Sequence, residues 1–410
     1  MQTVVIKPAQ SVYQQTNHIV IVGGGPVGSV LALSLQQQNV PFMLLESRIK
    51  GASHHDTRAL ALSYGSRLIL EKLGVWPEVA AKATAINTIH ISQRGGLGRT
   101  KLNATEHCQE ALGYVLPYGA LTQALDAALD LNNMQYEASV SEIVPNNIAA
   151  EVTFTQKVSM QEDVTQTIAS PLVVVADGGR NLNEINGISK ETKEYGHDAL
   201  VSKVTAQLPH NNIAYERFTP TGPMALLPNG ETGFSLVWTG EKNSIDALLA
   251  LDDTTFLSQL NDAFGDRVGR FLSIEKRLSF PLKLSRLKPS TAAHLAIIGN
   301  AAQTMHPVAG QGFNVGMRDA WTLASMIVDS SDNAIGSGVG SAIGSAVMLN
   351  EYTNQRSRDT KGGILFTDLL VNVFGNDIIG LQAMRGFGLG ALQFIAPIKN
   401  SLVNKMSFGK

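Results

Sequence analysis

A glycine-rich turn between an apolar strand and a helix limits the possible folds of this 410-residue chain more than any other feature. The continuous apolar run His18–Gly23 predicts a strand buried on both faces, and Pro26–Gln37 predicts a helix. Between them, Gly23–Gly28 reads Gly-Gly-Gly-Pro-Val-Gly and matches the pattern G-x-G-x-x-G. A second buried strand, Pro41–Glu46, follows the helix. The chain therefore opens with a βαβ unit, which is typical of an α/β protein with a mostly parallel sheet.

Three glycines of this turn have predicted roles in binding a dinucleotide. Gly23 permits the tight turn, Gly25 lets the backbone approach a pyrophosphate, and Gly28 lets the helix pack closely on the sheet. The helix N-terminus presents a partial positive charge to the phosphates. Glu46 ends the second strand, where its carboxylate can accept hydrogen bonds from a ribose diol. We therefore predict a dinucleotide site; the alternative is a glycine-rich turn that binds nothing.

A second glycine cluster, Gly299–Asn314, lies late in the chain. It follows the apolar run Leu295–Gly299 and precedes a predicted helix at Gly312–Val328. Gly310 and Gly312 would let backbone N–H groups approach a planar ligand, and the N-terminus of the next helix favours negative charge, such as that of a reduced flavin. A protein that binds only NAD has no obvious need for this second cluster. The pair of clusters therefore favours a flavin dinucleotide.

The rest of the chain indicates how the molecule is organised. Residues between Leu200 and Leu287 alternate apolar and polar, which predicts antiparallel strands. Helical periodicity runs from Asp56 to Ala85, and the Gly/Ser/Ala-rich segment Ser330–Ser345 predicts a loop. We expect an α/β fold: a Rossmann-like, mostly parallel sheet, in which strands near both ends of the chain take part, with an inserted antiparallel sheet.

Composition narrows the class of protein further. Charged residues make up 16% of the chain and the net charge is -2, so bulk electrostatics do not favour a nucleic-acid partner. One cysteine, Cys108, excludes an internal disulfide and any multi-cysteine metal site, and we expect no metal. The apolar stretch Gly386–Ile398 is shorter than the ~20 residues that span a bilayer. We expect a soluble cytoplasmic protein.

Three motifs together resemble those of the class A FAD-dependent aromatic hydroxylases. They are Gly23–Gly28, the Asp177–Gly178 turn after a buried run, and Gly299–Asn314. The last resembles the family's late motif G-D-A-A-H-x-x-x-P-x-x-G-Q-G-x-N, with Asn300 in place of the usual Asp and Gln303 in place of the usual His. These departures, and stretches elsewhere along nearly the whole chain, make it most similar to the ubiquinone-biosynthesis members.

The resemblance implies a fold like that of p-hydroxybenzoate hydroxylase, with a Rossmann-like FAD-binding domain and an antiparallel-sheet substrate domain. The implied bounds are residues 17–80, 110–190 and 290–361 for the FAD-binding domain, 81–109 and 191–289 for the substrate domain, and 362–410 for an apolar helical tail. Two alternatives remain open for this tail. In the first, the tail packs on the protein core. In the second, it meets a membrane surface or a partner protein, and contact with a membrane would make the protein peripheral to the inner membrane.

The resemblance also implies which residues bind the cofactor. The implied FAD-binding residues are Gly23, Gly25, Gly28, Glu46, Arg58, Asp177, Gly178, Asn300, Gly310, Gly312 and Asn314. Asn300 would meet the ribityl chain, where an amide still offers an acceptor, and Gly310, Gly312 and Asn314 would lie beside the isoalloxazine with Pro307. Arg58 has an alternative role as a surface ion-pair partner, and Asp177 as the end of a strand in a turn.

The implied activity is that of an FAD-dependent monooxygenase that uses NAD(P)H and O2. It would hydroxylate the aromatic ring of a polyprenyl phenol in ubiquinone biosynthesis, through a flavin C4a-hydroperoxide, within or beside an assembly of the pathway's proteins. His306 and Pro307 are the candidate catalytic residues, with His306 assisting loss of the phenol proton or only making a structural hydrogen bond. Hydroxylation at another ring position or of a soluble aromatic, and flavin binding without turnover, are the alternatives.

Overall fold

The computed structural model describes residues 12–95, 99–159, 162–180, 185–304, 311–336, 342–357, 359 and 396–409. Within these residues, no helix combines the length and the apolar character needed to cross a membrane. The candidate residues His306, Pro307 and Gly310 lie outside the described residues, as does most of the apolar tail.

The described part of the chain contains twenty-two strands. Their bounds are β1 Val12–Gln15, β2 Ile19–Val22, β3 Phe42–Glu46, β4 Ala59–Ser63, β5 Thr84–Ile86, β6 Thr88–Gln93, β7 Arg99–Asn103, β8 Gly113–Pro117, β9 Met134–Tyr136, β10 Ala138–Pro145, β11 Ala150–Ser159, β12 Glu162–Ser170, β13 Val173–Val175, β14 Ser189–Ala206, β15 Ile213–Thr219, β16 Gly222–Asn229, β17 Gly233–Glu241, β18 Phe271–Ile274, β19 Leu278–Lys288, β20 Thr291–Ala292, β21 Leu295–Ile297 and β22 Gln303–Thr304.

The α-helices surround these strands. Their bounds are α1 Pro26–Gln37, α2 Tyr64–Lys72, α3 Trp76–Ala80, α4 Tyr118–Ala128, α5 Lys242–Leu249, α6 Asp253–Phe264, α7 Gln311–Gly336, α8 at residues 346–357 and α9 Ala396–Phe408.

A six-stranded sheet in the order β20-β21-β13-β2-β3-β9 carries the glycine-rich turn. Its central strands are parallel, with Val174 paired to both Ile21 and Ala296, so strands from the two ends of the chain share one sheet as predicted. One face packs on α1 and α7, and the other packs on a four-stranded sheet of order β1-β12-β11-β10. Both faces of these strands are therefore buried, which explains their continuous apolar runs.

A larger sheet lies beside this core. Its order is β22-β19-β14-β17-β16-β15-β6-β7, with β18 paired to β14, and most of its pairs are antiparallel. Helices α5 and α6 cover one face through a cluster that includes Trp238, Phe256 and Phe264. A fourth, three-stranded sheet has the order β4-β8-β5. The predicted α/β fold with an added antiparallel sheet is confirmed, and the domain bounds remain a prediction.

Two local predictions are wrong. Residues 59–63 lie in the segment predicted as helical but form β4, paired antiparallel with β8. The Ser63 hydroxyl accepts a hydrogen bond from the Ser66 N–H and caps α2, so the helix begins only after this strand. Helix α7 runs to Gly336, into the segment predicted as a loop, and the Ser331 hydroxyl donates to the Ile327 carbonyl one turn back.

The last helix packs on the protein. Val403 of α9 is buried with Leu102 and Leu112, and the Phe408 ring meets the Tyr64 ring edge-on at 6.1 Å. A side chain at Gly65 would collide with the Ser407 carbonyl, so α2 and α9 are in close backbone contact. This segment of the tail follows the packed alternative.

Candidate functional site

The turn from β2 to α1 depends on two of its glycines for its shape. Gly23 has a φ of +107°, and a Cβ there would lie 2.7 Å from the Asp177 backbone, so no other residue fits. A Cβ at Gly28 would collide with the Gly23 carbonyl oxygen. Gly23 and Gly28 therefore let the turn, the helix and the β13 end approach one another.

Gly25 has a different environment. It caps the N-terminus of α1, and the nearest described atom to a Cβ built there is the Tyr118 hydroxyl, at 4.0 Å. Beyond it lies a cavity of about 310 Å³, whose lining includes Glu46, Asp177 and Arg180. The first N–H groups of α1 have no partner within the helix and face this space. The N–H groups at a helix N-terminus favour the negative charge of a pyrophosphate. Glycine at this position keeps the approach open, whereas any side chain would fill it.

Glu46 lies at the edge of this cavity, and both of its carboxylate oxygens accept hydrogen bonds. Its Oε2 accepts from the Gly24 N–H at 2.8 Å, and its Oε1 accepts from the Arg48 N–H at 2.8 Å. The Arg48 guanidinium donates to both oxygens, at 2.8 and 3.0 Å. Burial opposes ionisation of Glu46, but the bonds from Arg48 and Gly24 outweigh it and hold its pKa below the ordinary value. Our sequence analysis missed Arg48, although a basic residue two positions after a strand-ending Glu is a signal for this ion pair.

The late glycine cluster lies at the junction of two cavities. Asn300, in a short 3₁₀ turn after β21, and Phe313, in the first turn of α7, line both the first cavity and a second one. Gly312 lines the second cavity. The two cavities therefore adjoin at Asn300, which was predicted to meet the ribityl chain, and at Phe313, which was not among the predicted residues.

Asn314 lines the second cavity, and its amide ties α7 to β4. Its Oδ1 accepts from the Ser63 N–H and from the Ser66 hydroxyl, each at 2.8 Å. Its Nδ2 donates to the Ala61 carbonyl at 3.0 Å. These bonds leave little of the amide for a ligand, so the side chain acts mainly to position the glycine cluster against β4.

The second cavity has a volume of about 370 Å³ and is mainly apolar. It lies between one face of the nine-stranded sheet, strand β4 and the late glycine cluster, and Met406 of α9 also lines it. Glu216 is the only carboxylate among the described residues of its lining. Burial raises the pKa of Glu216 to about 8. The sequence offered no motif around this residue.

Comparison with known proteins identifies the family. Residues 16–334 match the family model described as an FAD binding domain. The chain belongs to this family. It is 32% identical over 385 residues to "Ubiquinone hydroxylase UbiL" of Rhodospirillum rubrum, covering 93% of this chain and 87% of that protein. It is 28% identical to "3-demethoxyubiquinol 3-hydroxylase" of Escherichia coli, covering 94% of this chain and 97% of that protein. The protein is therefore an FAD-dependent monooxygenase.

A solved structure agrees on the fold. The crystal structure of p-nitrophenol 4-monooxygenase PnpA from Pseudomonas putida DLL-E4 is similar, with a TM-score of 0.72 at 15% sequence identity. The match covers 96% of this chain and 98% of that one. The fold of this FAD-binding chain is therefore that of the class A flavin-dependent hydroxylases.

Three further residues with predicted FAD contacts lie at different depths. Asp177 and Gly178 line the first cavity, and the Asp177 carboxylate also accepts from the Gly179 N–H at 2.8 Å, which closes the turn after β13. Arg58 is exposed, forms an ion pair with Asp56 and lies 5.3 Å over the Tyr118 ring, which lines the cavity. The ion pair is the alternative role predicted for Arg58, and an FAD contact from it remains a prediction.

A buried charge network supports the late glycine cluster of this FAD-binding chain. The Gly299 N–H donates to Asp319 at 3.1 Å, and Asp319 accepts from Arg356 at 2.6 Å. Arg356 also pairs with Asp359 at 2.7 Å, which Arg318 holds at 2.7 Å. Burial alone would lower the pKa of Arg356, but the two carboxylates raise it above its ordinary value, so the charge is retained. Gly299 is thereby anchored to α7 and to the end of α8.

Proposed function

We propose that this enzyme hydroxylates the aromatic ring of a polyprenyl phenol of the 2-octaprenyl-6-methoxyphenol type in ubiquinone biosynthesis, with NAD(P)H and O2. The observation that carries the proposal is the apolar cavity that meets the dinucleotide cavity at Asn300 and Phe313. The names of the two relatives support the pathway. FAD, when bound, supplies the redox chemistry that side chains lack: it accepts hydride from NAD(P)H and reacts with O2 in its reduced form.

The first cavity supplies the cofactor site in this proposal. The N-terminus of α1 and the open approach at Gly25 would bind the pyrophosphate. Glu46 would accept hydrogen bonds from the ribose while Arg48 balances its charge. Asn300 would hold the ribityl chain, and Gly312, which lines the second cavity, would contact the flavin ring.

The second cavity supplies the substrate site. Its apolar lining would exclude water from the reacting ring. Its volume of about 370 Å³ is near the small end of the roughly 300–1,000 Å³ that ligand pockets occupy. A phenol ring with its methoxy group fits in it, whereas an octaprenyl chain must extend out of it. The pathway assembly, the membrane contact of the tail and the role of His306 and Pro307 stay predictions.

Metabolite analysis of a strain that lacks this gene tests the proposal. We expect mass spectrometry to find a methoxylated polyprenyl phenol that lacks one oxygen, and expression of the intact gene to restore ubiquinone. A different prenylated phenol would move the reaction to another ring position. Normal ubiquinone without an accumulated intermediate would overturn the proposal and favour a soluble aromatic substrate.

A further inference from the structure

One row of residues crosses five strands on the cavity side of the nine-stranded sheet. Val201 pairs with Val237, Val237 with Ala225, Ala225 with Glu216, and Glu216 with Ile91. Directly paired residues share a sheet face, so these side chains form one row. Four of its five positions are apolar, and Glu216 places a carboxyl group between Ala225 and Ile91. A glutamate in this setting is costly unless it has a partner or a function.

Glu216 has no hydrogen-bond or ion-pair partner among the residues that the structure describes. Its neighbours along β15 point to the other face: Tyr215 packs edge-on against Phe264 at 5.4 Å, and Arg217 donates to the Ala263 carbonyl. Tyr215 is the other titratable residue of the described lining, and the described lining contains no lysine, arginine or histidine. Apolar surroundings therefore decide how readily Glu216 ionises.

We propose that Glu216 is the group that accepts the proton of the phenol hydroxyl, an inference that rests on the proposed hydroxylation of a phenol in this cavity. The phenol O–H bond breaks, its proton and no electrons pass to a Glu216 carboxylate oxygen, and the electron pair stays on the phenol oxygen. The products of this step are a phenolate and a neutral carboxylic acid. The phenolate ring is richer in electrons and is the better acceptor of an oxygen atom.

The acidities of the two groups suit this transfer. With a pKa of about 8, the carboxylate of Glu216 is a stronger base than that of an ordinary glutamate, and a phenol has a pKa of about 10. The transfer is therefore only modestly uphill, and the phenolate can be consumed as it forms. The neutral carboxylic acid that results is also the form that an apolar cavity favours. Positioned general bases of this kind typically contribute about 10²–10⁴-fold in rate.

Glu216→Gln in the FAD-loaded enzyme is the direct test, with 2-methoxy-6-prenylphenol as the substrate probe. We expect retained flavin absorbance and a hydroxylation rate lowered about 10²–10⁴-fold. Glu142→Gln, which removes an exposed strand carboxylate, is the matched control and should hydroxylate normally. A normal rate in Glu216→Gln would overturn the inference.

The pH profile separates a proton acceptor from a merely structural glutamate. The wild-type hydroxylation rate should rise through about pH 8 as Glu216 ionises. Glu216→Gln should lose this rise, and its rate should instead follow the ionisation of the phenol at about pH 10. Glu216→Asp should keep the rise at a lower rate. More acidic phenols, such as a ring-brominated probe, should rescue Glu216→Gln. If Glu216→Gln fails to fold, a flat wild-type profile across this range would still overturn the inference.

Failure of the proposed function gives a different result. A wild-type enzyme that hydroxylates no phenol contradicts the function itself. Binding of the same probe, followed by the change in flavin absorbance, then tests Glu216 alone. Tighter binding with rising pH through about 8 in wild type, absent in Glu216→Gln, supports a carboxylate that contacts the phenol hydroxyl. Identical binding profiles in the two proteins would count against it.

Discussion

The two cavities are built in opposite ways. The first takes half of its described lining from Val22–Arg48, a single strand–turn–helix–strand unit in which Gly25 leaves an open approach. The second combines residues from Ala59 to Met406, and strands of two sheets, the late glycine cluster and α9 all contribute to its lining. Half of the first cavity is therefore compact in sequence, whereas the second, which tertiary packing makes, is dispersed.

The two cavities also differ in the electrostatic environment of the glutamate that lines each of them. Glu46 has an arginine and two backbone N–H groups around it, and its pKa lies below the ordinary value. Glu216 lies among apolar side chains, and burial raises its pKa to about 8. Glu46 is thus held in its ionised form near neutral pH, whereas Glu216 can take up and release a proton there. The following predictions act on one cavity and should spare the other, except for Arg356→Met, which tests the junction between them.

Gly25→Val should have the largest effect. The new side chain would occupy the approach to the α1 N-terminus where the pyrophosphate is expected, so the purified protein should retain no flavin absorbance. Because the nearest described atom to a Cβ there is 4.0 Å away, the apoprotein should keep its Tm. Gly28→Ala is the informative contrast: its Cβ collides with the Gly23 carbonyl and should lower the Tm of the apoprotein itself. A yellow, active Gly25→Val protein would show that the register is wrong.

Arg356→Met should destabilise the junction between the cavities. It leaves Asp319 and Asp359 buried with one fewer cationic partner, and removal of one member of a buried ion pair costs about 3–5 kcal/mol. Urea unfolding of the apoprotein measures this loss. Arg58→Met, which removes an exposed ion pair with Asp56, is the matched control and should cost no more than about 1 kcal/mol. Equal losses in the two variants would contradict a special role for the network.

Ala225→Phe should block the second cavity while leaving the first intact. Ala225 lies beside Glu216 in the sheet and lines the cavity, so a ring at this position takes the space of the substrate ring. We expect kcat/KM for the phenol probe to fall about 10–200-fold, the effect that a misfit in an apolar pocket usually has. Flavin content and the Tm of the holoenzyme should stay close to wild type. Loss of flavin in this variant would mean that the two cavities are not separable.

The same contrast explains what could be predicted from the sequence. Helix α1 begins and ends where its pattern predicts, because Pro26 favours the first turn and the chain leaves the helix at Asn39 with a φ of 55°. Glu216, in contrast, could not be found, because its place depends on the pairing of β15 with β6 and β16. Local steric rules determine the first site. The second requires knowledge of strand order and register, which no short motif contains.

Glu46→Gln should have the smallest effect, and pH should reveal it. Because the native pKa of Glu46 lies below its ordinary 4.5, the unfolded chain takes up the proton more readily, and the carboxylate stabilises the fold fully only above about pH 5. That contribution is lost as the pH falls through the native pKa. A glutamine keeps the acceptor oxygen but not the charge, so we expect a loss of about 1–2 kcal/mol in unfolding free energy near pH 7. The difference between wild type and variant should shrink as the pH falls from about 5 through the native pKa, below which the wild-type carboxylate is protonated as well. A constant difference across that range, measured by urea unfolding of the apoproteins, would show that the ion pair with Arg48 is not its source.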